Sequence, residues 1–215
     1  IDTVTMNISS STIGTSSVSG NIYGGGNLAE VNNDITLVVE ENTNVNGNIY
    51  GGGNLGKVLG KIDSTIKDSN ISKDIHGAGN KASVGTAVTA DTISLKVNNV
   101  TATSIYGGGN AAETIGNTTT AVSKSSIENI YGGGNGAESI VSGDTTGEQN
   151  LAKVNGNTTT IVEDNTKVTN IYGGGNLGMV IGNTNVKTYN ITATSIYGGG
   201  NEAIVDKNTK LLVSS

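Results

Sequence analysis

The chain has 215 residues, with 33 Gly, seven Tyr, one His and no Cys, Pro, Trp, Phe or Arg. A net charge of −6 without Arg argues against nucleic acid as a partner, and the lack of Cys rules out disulfides and thiolate metal sites. No apolar run reaches the roughly 18 residues of a membrane span.

The first predicted element is the opening stretch "IDTVTMNISS", which reads as a strand. The string "IYGGGN" follows at 22–27 and recurs at 49–54, 105–110, 130–135, 171–176 and 196–201. A worn copy, "IHGAGN", stands at 75–80. From Tyr23 onward, with His76 standing in for one Tyr, the steps are 27, 26, 30, 25, 41 and 25 residues. A period of this size marks stacked repeats.

One repeat, 157–182, shows the interior plan. "TTTIV", "KVTNIY" and "LGMVIG" are short and rich in β-branched residues, and the polar turns "EDN" and "GGGN" separate them. Three strands per turn predict an all-β, three-sided parallel β-helix of about seven coils, with 25–30 residues per coil. Right-handed coiling is expected from the crossover preference of parallel strands. The whole chain, 1–215, reads as one β-helix domain and as a segment of a longer protein.

The first piece aligns between coils with period-two alternation, so one face points inward. Ile93, Leu95 and Val97 match Thr118, Thr120 and Val122, then Thr184, Val186 and Thr188. Ile35, Leu37 and Val39 precede them, and Thr209, Leu211 and Val213 follow. The third piece offers Leu28/Val31, Leu55/Val58 and Leu177/Val180 as apolar pairs. No coil holds enough apolar surface to fold alone, so stacking must make the core.

The recurring string has a structural reading and a binding reading. In the first, Ile closes the second strand inward and the glycines supply positive φ for a sharp corner. Asn27, Asn54, Asn80, Asn110, Asn135, Asn176 and Asn201 then form a side-chain ladder. In the second, Tyr23, Tyr50, Tyr106, Tyr131, Tyr172 and Tyr197 point outward or lie along the turn and form a rail for a sugar chain, which His76 interrupts. Rings stacked one per coil would hide their faces from a ligand, so the structural reading is preferred. His76 reads as a tolerated substitution, not a metal ligand.

The long step from Tyr131 to Tyr172 holds an insertion. "GAESIV" reads as a third strand parallel to "AAETIG", which places the extra residues at about 142–156, although "LAKVNG" echoes "LGKVLG". Such loops fall on one face and can carry function.

No catalytic residue is assigned. Glu40, Glu41, Glu163, Asp164 and Asp206 fall in turns, and Glu30, Glu113 and Glu138 on the third piece. Glu113 and Glu138 on consecutive coils would lie about 5 Å apart, a retaining-glycosidase spacing, but a solvated surface ladder is the preferred reading. The calcium β-roll pattern needs Asp and a nine-residue period, so neither metal nor cofactor is expected. "TAT" at 101–103 and 192–194 raises ice binding, which the intervening coils break.

The three-strand coil, the Asn corner ladder and the Thr/Asn/Gly-rich composition resemble the parallel β-helix segments of large bacterial cell-surface proteins and adhesins. The resemblance implies an extracellular, secreted or wall-attached protein with a non-catalytic structural or adhesive role. Its partners would be a host or environmental glycan or protein, and neighbouring repeats of the full-length chain. The alternative is a polysaccharide-binding or polysaccharide-cleaving β-helix.

Overall fold

A computed structural model describes residues 1–88, 90–136 and 151–214. In chain order the strands begin with β1 (Val4–Ser9), β2 (Thr12–Ile13), β3 (Ile22–Tyr23), β4 (Ile35–Glu40), β5 (Asn44–Val45), β6 (Ile49–Tyr50), β7 (Ile62–Ile71) and β8 (Ile75–His76). They continue with β9 (Asp91–Tyr106), β10 (Asn117–Ser123), β11 (Ser126–Tyr131), β12 (Thr158–Glu163), β13 (Lys167–Tyr172), β14 (Thr184–Tyr189), β15 (Thr192–Tyr197) and β16 (Thr209–Ser214).

All strand pairs are parallel, and each strand pairs with its equivalent one coil away. Side 1 runs β1-β4-β7-β9-β10-β12-β14-β16. β7 and β9 turn the corner and continue onto side 2, which the shorter strands otherwise form. The result is a β-solenoid of about seven turns. We number coils 1 to 7 by their ring residues: Tyr23, Tyr50, His76, Tyr106, Tyr131, Tyr172 and Tyr197.

The side 1 register agrees with the sequence alignment: Ile93, Leu95 and Val97 lie on Thr118, Thr120 and Val122. These continue through Thr158, Thr160 and Val162 to Thr184, Val186 and Thr188. The inward positions are buried and alternate with exposed or half-buried ones. Ile49, Ile75, Ile105, Ile130 and Ile171 meet them from side 2.

Side 3 departs from the expectation of a third strand. It is a column of single-residue bridges through Val31, Val58, Val84, Thr114, Val154, Val180 and Val205. The bridge residue is buried in coils 1 to 6, and Ala82, Ala112 and Ala152 two residues before it are buried as well, whereas Leu28 is 73% and Leu55 48% exposed. Further backbone bonds join the coils just after the glycine corner, as from the Leu55 N–H to the Asn27 carbonyl and from the Lys81 N–H to that of Asn54, without forming a continuous strand.

The bridge from Thr114 to Val154 also corrects the insertion. "LAKVNG", 151–156, occupies the side 3 column of coil 5, so the expected end of the inserted loop at 156 is too late. The expected strand "GAESIV" begins at Gly136 and otherwise lies outside the described residues, as does 142–150 of the loop. The chain departs at Gly136, whose φ of +82° has no counterpart at the equivalent Ala111 or Leu177.

Candidate functional site: the glycine corner and its aromatic column

Each coil presents Ile-Tyr-Gly-Gly-Gly-Asn, or its worn copy, at the corner between sides 2 and 3. The rings of Tyr23, Tyr50, His76, Tyr106, Tyr131, Tyr172 and Tyr197 form one continuous stack. Centroids are 4.8–5.0 Å apart, the strand spacing, and planes lie within 10° of parallel. His76 therefore continues the column and does not break it.

The expectation that the tyrosines face outward fails for the middle of the rod. Tyr50, Tyr106 and Tyr131 are buried, as is His76, while Tyr197 at the last coil is 47% exposed. Each ring from Tyr50 to Tyr172 is covered on both faces by its neighbours. Burial pushes the Tyr50 and Tyr131 hydroxyls up to about 12 and raises that of Tyr106 further. Burial pulls the His76 imidazole down to about 3, and its Nδ1 has no hydrogen-bond partner among the described residues. No ring face in the interior is free to receive a sugar.

The asparagines sit beside this column. Asn54, Asn80, Asn110, Asn135, Asn176 and Asn201 each donate Nδ2–H to the Oδ1 of the previous coil's Asn, at 2.8–3.0 Å. Asn27 receives the first of these bonds.

The glycines do not serve the purpose expected of them. None of the triplet glycines has a positive φ; among the described residues the positive-φ glycines are Gly14, Gly85, Gly116 and Gly136. What requires glycine is the approach of other backbone. A Cβ on Gly51 would lie 2.3 Å from the carbonyl oxygen of Gly77 on the next coil, and one on Gly132 would lie 2.3 Å from that of Gly173. A Cβ on the third glycine would meet the carbonyl three residues ahead, as at Gly53 against Gly56 at 2.2 Å. The middle position is looser, and Ala78 occupies it fully buried.

A second ladder escaped the sequence reading. Asn21 Oδ1 accepts the Asn48 N–H (2.8 Å), Asn48 Oδ1 that of Asp74 (3.0 Å), and Asp74 Oδ1 that of Ser104 (3.1 Å). Its signal was present as the polar residue before each Ile of the string. Burial raises the Asp74 carboxyl above its ordinary value.

The acidic residues form no catalytic pair among those described. The place expected for Glu138, above Glu113, belongs to Lys153, whose Nζ is 3.2 Å from Glu113 Oε1. Asn155 Nδ2 donates to the same oxygen at 2.7 Å. Glu138 lies outside the described residues. Glu40 pairs with Lys67 at 2.8 Å. The column of Thr101 passes through Ser126 and Lys167 before Thr192, so no continuous threonine row exists there. No group of three or more His, Cys, Asp or Glu suited to a metal occurs among the described residues.

The chain matches no protein-family model, no characterised protein and no solved structure. The class to which it can be assigned is that of its fold, the parallel β-solenoids.

Proposed function

We propose that the chain is a non-catalytic structural and adhesive segment of a secreted or wall-attached bacterial surface protein. The supporting observation is the repetition of one coil-to-coil contact along the rod. Ring stack, Asn ladder and close glycine corners recur at every step, which suits a stiff spacer that carries a surface outward. Neighbouring repeats of a longer chain belong to the same reading as further partners. The outer partner is a host or environmental glycan or protein.

The test immobilises the purified chain and exposes it to a glycan array and to extracellular-matrix proteins. Retention of at least one of these, without release of reducing ends from polysaccharides, is expected. Release of new reducing ends or unsaturated sugars would replace this reading with a polysaccharide-cleaving one. Antibody labelling of intact source cells checks the location; a signal only after lysis would overturn the surface assignment.

A further inference from the structure

The turn between sides 1 and 2 comes in two lengths. Four residues separate Val39 from Asn44 and Val162 from Lys167. Three separate Ile66 from Asn70, Val97 from Thr101 and Val122 from Ser126, at the same register. The long turns carry the related strings "EENT" at 40–43 and "EDNT" at 163–166. In each, two successive residues take positive φ: Glu41 and Asn42 (55° and 60°), and Asp164 and Asn165 (55° and 61°). Asn accepts this conformation more readily than most residues. A buried Thr then closes the turn, with Thr43 Oγ1 donating to Glu40 O and Thr166 Oγ1 to Glu163 O, both at 2.7 Å.

Coils 3, 4 and 5 make the tighter turn, with one positive-φ residue each: Asp68, Asn99 and Lys124. They therefore lie recessed between the longer turns of coils 2 and 6. The recess is a trough of about 390 Å³, with Asn42 lining one end and Asn165 the other.

We propose that this trough binds a short acidic oligosaccharide of two or three sugar units. The proposal rests on the adhesive reading above and gives it a site. The length follows from the walls, which are four coil steps or about 19 Å apart before their own thickness is subtracted. The chemistry follows from the lining. Exposed Asn99, Thr101 and Ser126 offer groups that donate and accept, as sugar hydroxyls require. The one aliphatic lining residue, Val100, is buried, so an apolar side chain of a peptide would find no pocket. Acidity of the ligand follows from Lys124 and Lys167, which lie on adjacent coils at one end. Neither forms an ion pair among the described residues, though Asp164 stands next to Lys124 along the corner. At the other end the Asp68 carboxylate already accepts the Asn99 amide, at 2.7 Å.

The test is a titration of the isotopically labelled chain with trigalacturonate, beside neutral maltotriose, followed by amide chemical shifts. Shifts at Asn99, Lys124 and Ser126 are expected with the acidic probe, with maltotriose weaker by about tenfold or more. The double variant Lys124→Ala/Lys167→Ala and, separately, Ser126→Tyr, which fills the trough, should each weaken binding about tenfold or more. Melting curves check that both variants keep the fold. No shift in the trough up to about 10 mM probe, or equal binding by the folded variants, overturns the site. Shifts confined to another face sink the trough and leave the adhesive reading standing. A chain that retains nothing in the earlier array assay sinks that reading on its own.

Discussion

Coils 2 to 4 and coils 5 to 7 share a backbone and differ in what fills it. On side 1 the first group buries Ile35, Leu37, Val39, Ile62, Ser64, Ile66, Ile93, Leu95 and Val97. The second buries Thr118, Thr120, Val122, Thr158, Thr160, Val162, Thr184, Val186 and Thr188. Six of the nine positions are threonine in the second group, whereas the first has eight aliphatic residues and the single hydroxyl of Ser64. Across the change the inward positions stay in register, Thr118 on Ile93 through Val122 on Val97, after a bulge between Asn117 and Thr118 that leaves Thr92 as the extra residue on β9. The lesson is that register is carried by the parts the two groups share, the corner glycines and side-chain ladders, while the core sets how much stability each coil adds.

The shared parts should therefore fail equally in both halves, and fail worst. Gly51→Ala and Gly132→Ala each drive a Cβ to 2.3 Å from the next coil's carbonyl oxygen, and against side 1 side chains as well, Ile62 and Ser64 in the first case and Thr160 and Thr158 in the second. Each is expected to cost about 3 kcal/mol or more in urea unfolding, or to abolish folding. Gly199→Ala, with nothing within 4 Å, should stay within about 1 kcal/mol. A large loss at Gly51 with a mild one at Gly132 would mean that the corner is not common to the two regions.

The core should separate them. Leu95→Ala removes a fully buried aliphatic side chain and should cost about 2–5 kcal/mol. Thr120→Ala, at the same register one coil on, removes less apolar volume and a hydroxyl without a partner, and should cost about 1 kcal/mol or less. Equal losses would show that the threonine coils are packed as effectively as the aliphatic ones.

The side-chain ladder comes next in size. Asn110 gives one amide bond to Asn80 and accepts one from Asn135, so Asn110→Ala breaks two rungs. A loss of about 1–3 kcal/mol is expected, against at most about 0.5 kcal/mol for Thr119→Ala on the outer face. Similar values for the two would make the ladder incidental.

His76 allows the aliphatic half to be probed by pH. Its imidazole is neutral in the fold because burial pulls it down to about 3, whereas the unfolded chain takes up the proton near pH 6.5. Between those limits the unfolded state binds more protons, so stability is present above about pH 6.5 and is lost as pH falls, by at most about 1.4 kcal/mol per unit. Asp74 acts in the opposite sense. Its raised carboxyl takes a proton in the fold before it does in the unfolded chain, which offsets part of the loss at the acid end. His76→Tyr completes the stack, and its melting temperature should fall less than that of the parent between about pH 6.5 and 4.5. Parallel pH profiles would show that His76 is not the group responsible.

Much of this was legible in the string itself. Its period marked the solenoid, and its Asn and Ile fell into columns because stacking repeats whatever one coil does. The tyrosines were misplaced because strand alternation puts them outside, and alternation carries no information about cover from neighbouring rings. The glycines were assigned positive φ because that is their commoner use in isolated turns. Here the constraint comes from a backbone one coil away, about 26 residues distant in the chain, as from Gly51 to Gly77. The trough depends on a one-residue difference between turns, visible only when the strands on both sides are in register.

The smallest expected effect tests the comparison most closely, because it lies within one strand. Thr118 and Thr120 are both inward, both buried, and two residues apart. Thr118 Oγ1 donates to the Gly132 carbonyl of the same coil at 2.8 Å, as Thr158 does to Gly173 and Thr184 to Gly198, both at 2.5 Å. Thr120 Oγ1 has no partner among the described residues, nor has that of Thr160. Valine has nearly the same shape as threonine and no hydroxyl to desolvate. Thr120→Val should thus stabilise by about 1 kcal/mol, since it removes a buried polar group that gains nothing in the fold. Thr118→Val should destabilise by about 0.5–1.5 kcal/mol, since it strips a hydrogen bond from a corner carbonyl. The equivalent Ile93, one coil earlier, has no donor for its own corner, so the threonine coils add a link across the core that the aliphatic coils lack. Urea midpoints moving in opposite directions would support that picture. A stabilising Thr118→Val would mean that the link across the core contributes less than the burial of the hydroxyl costs, and the threonine half would then be a weakened copy of the aliphatic one.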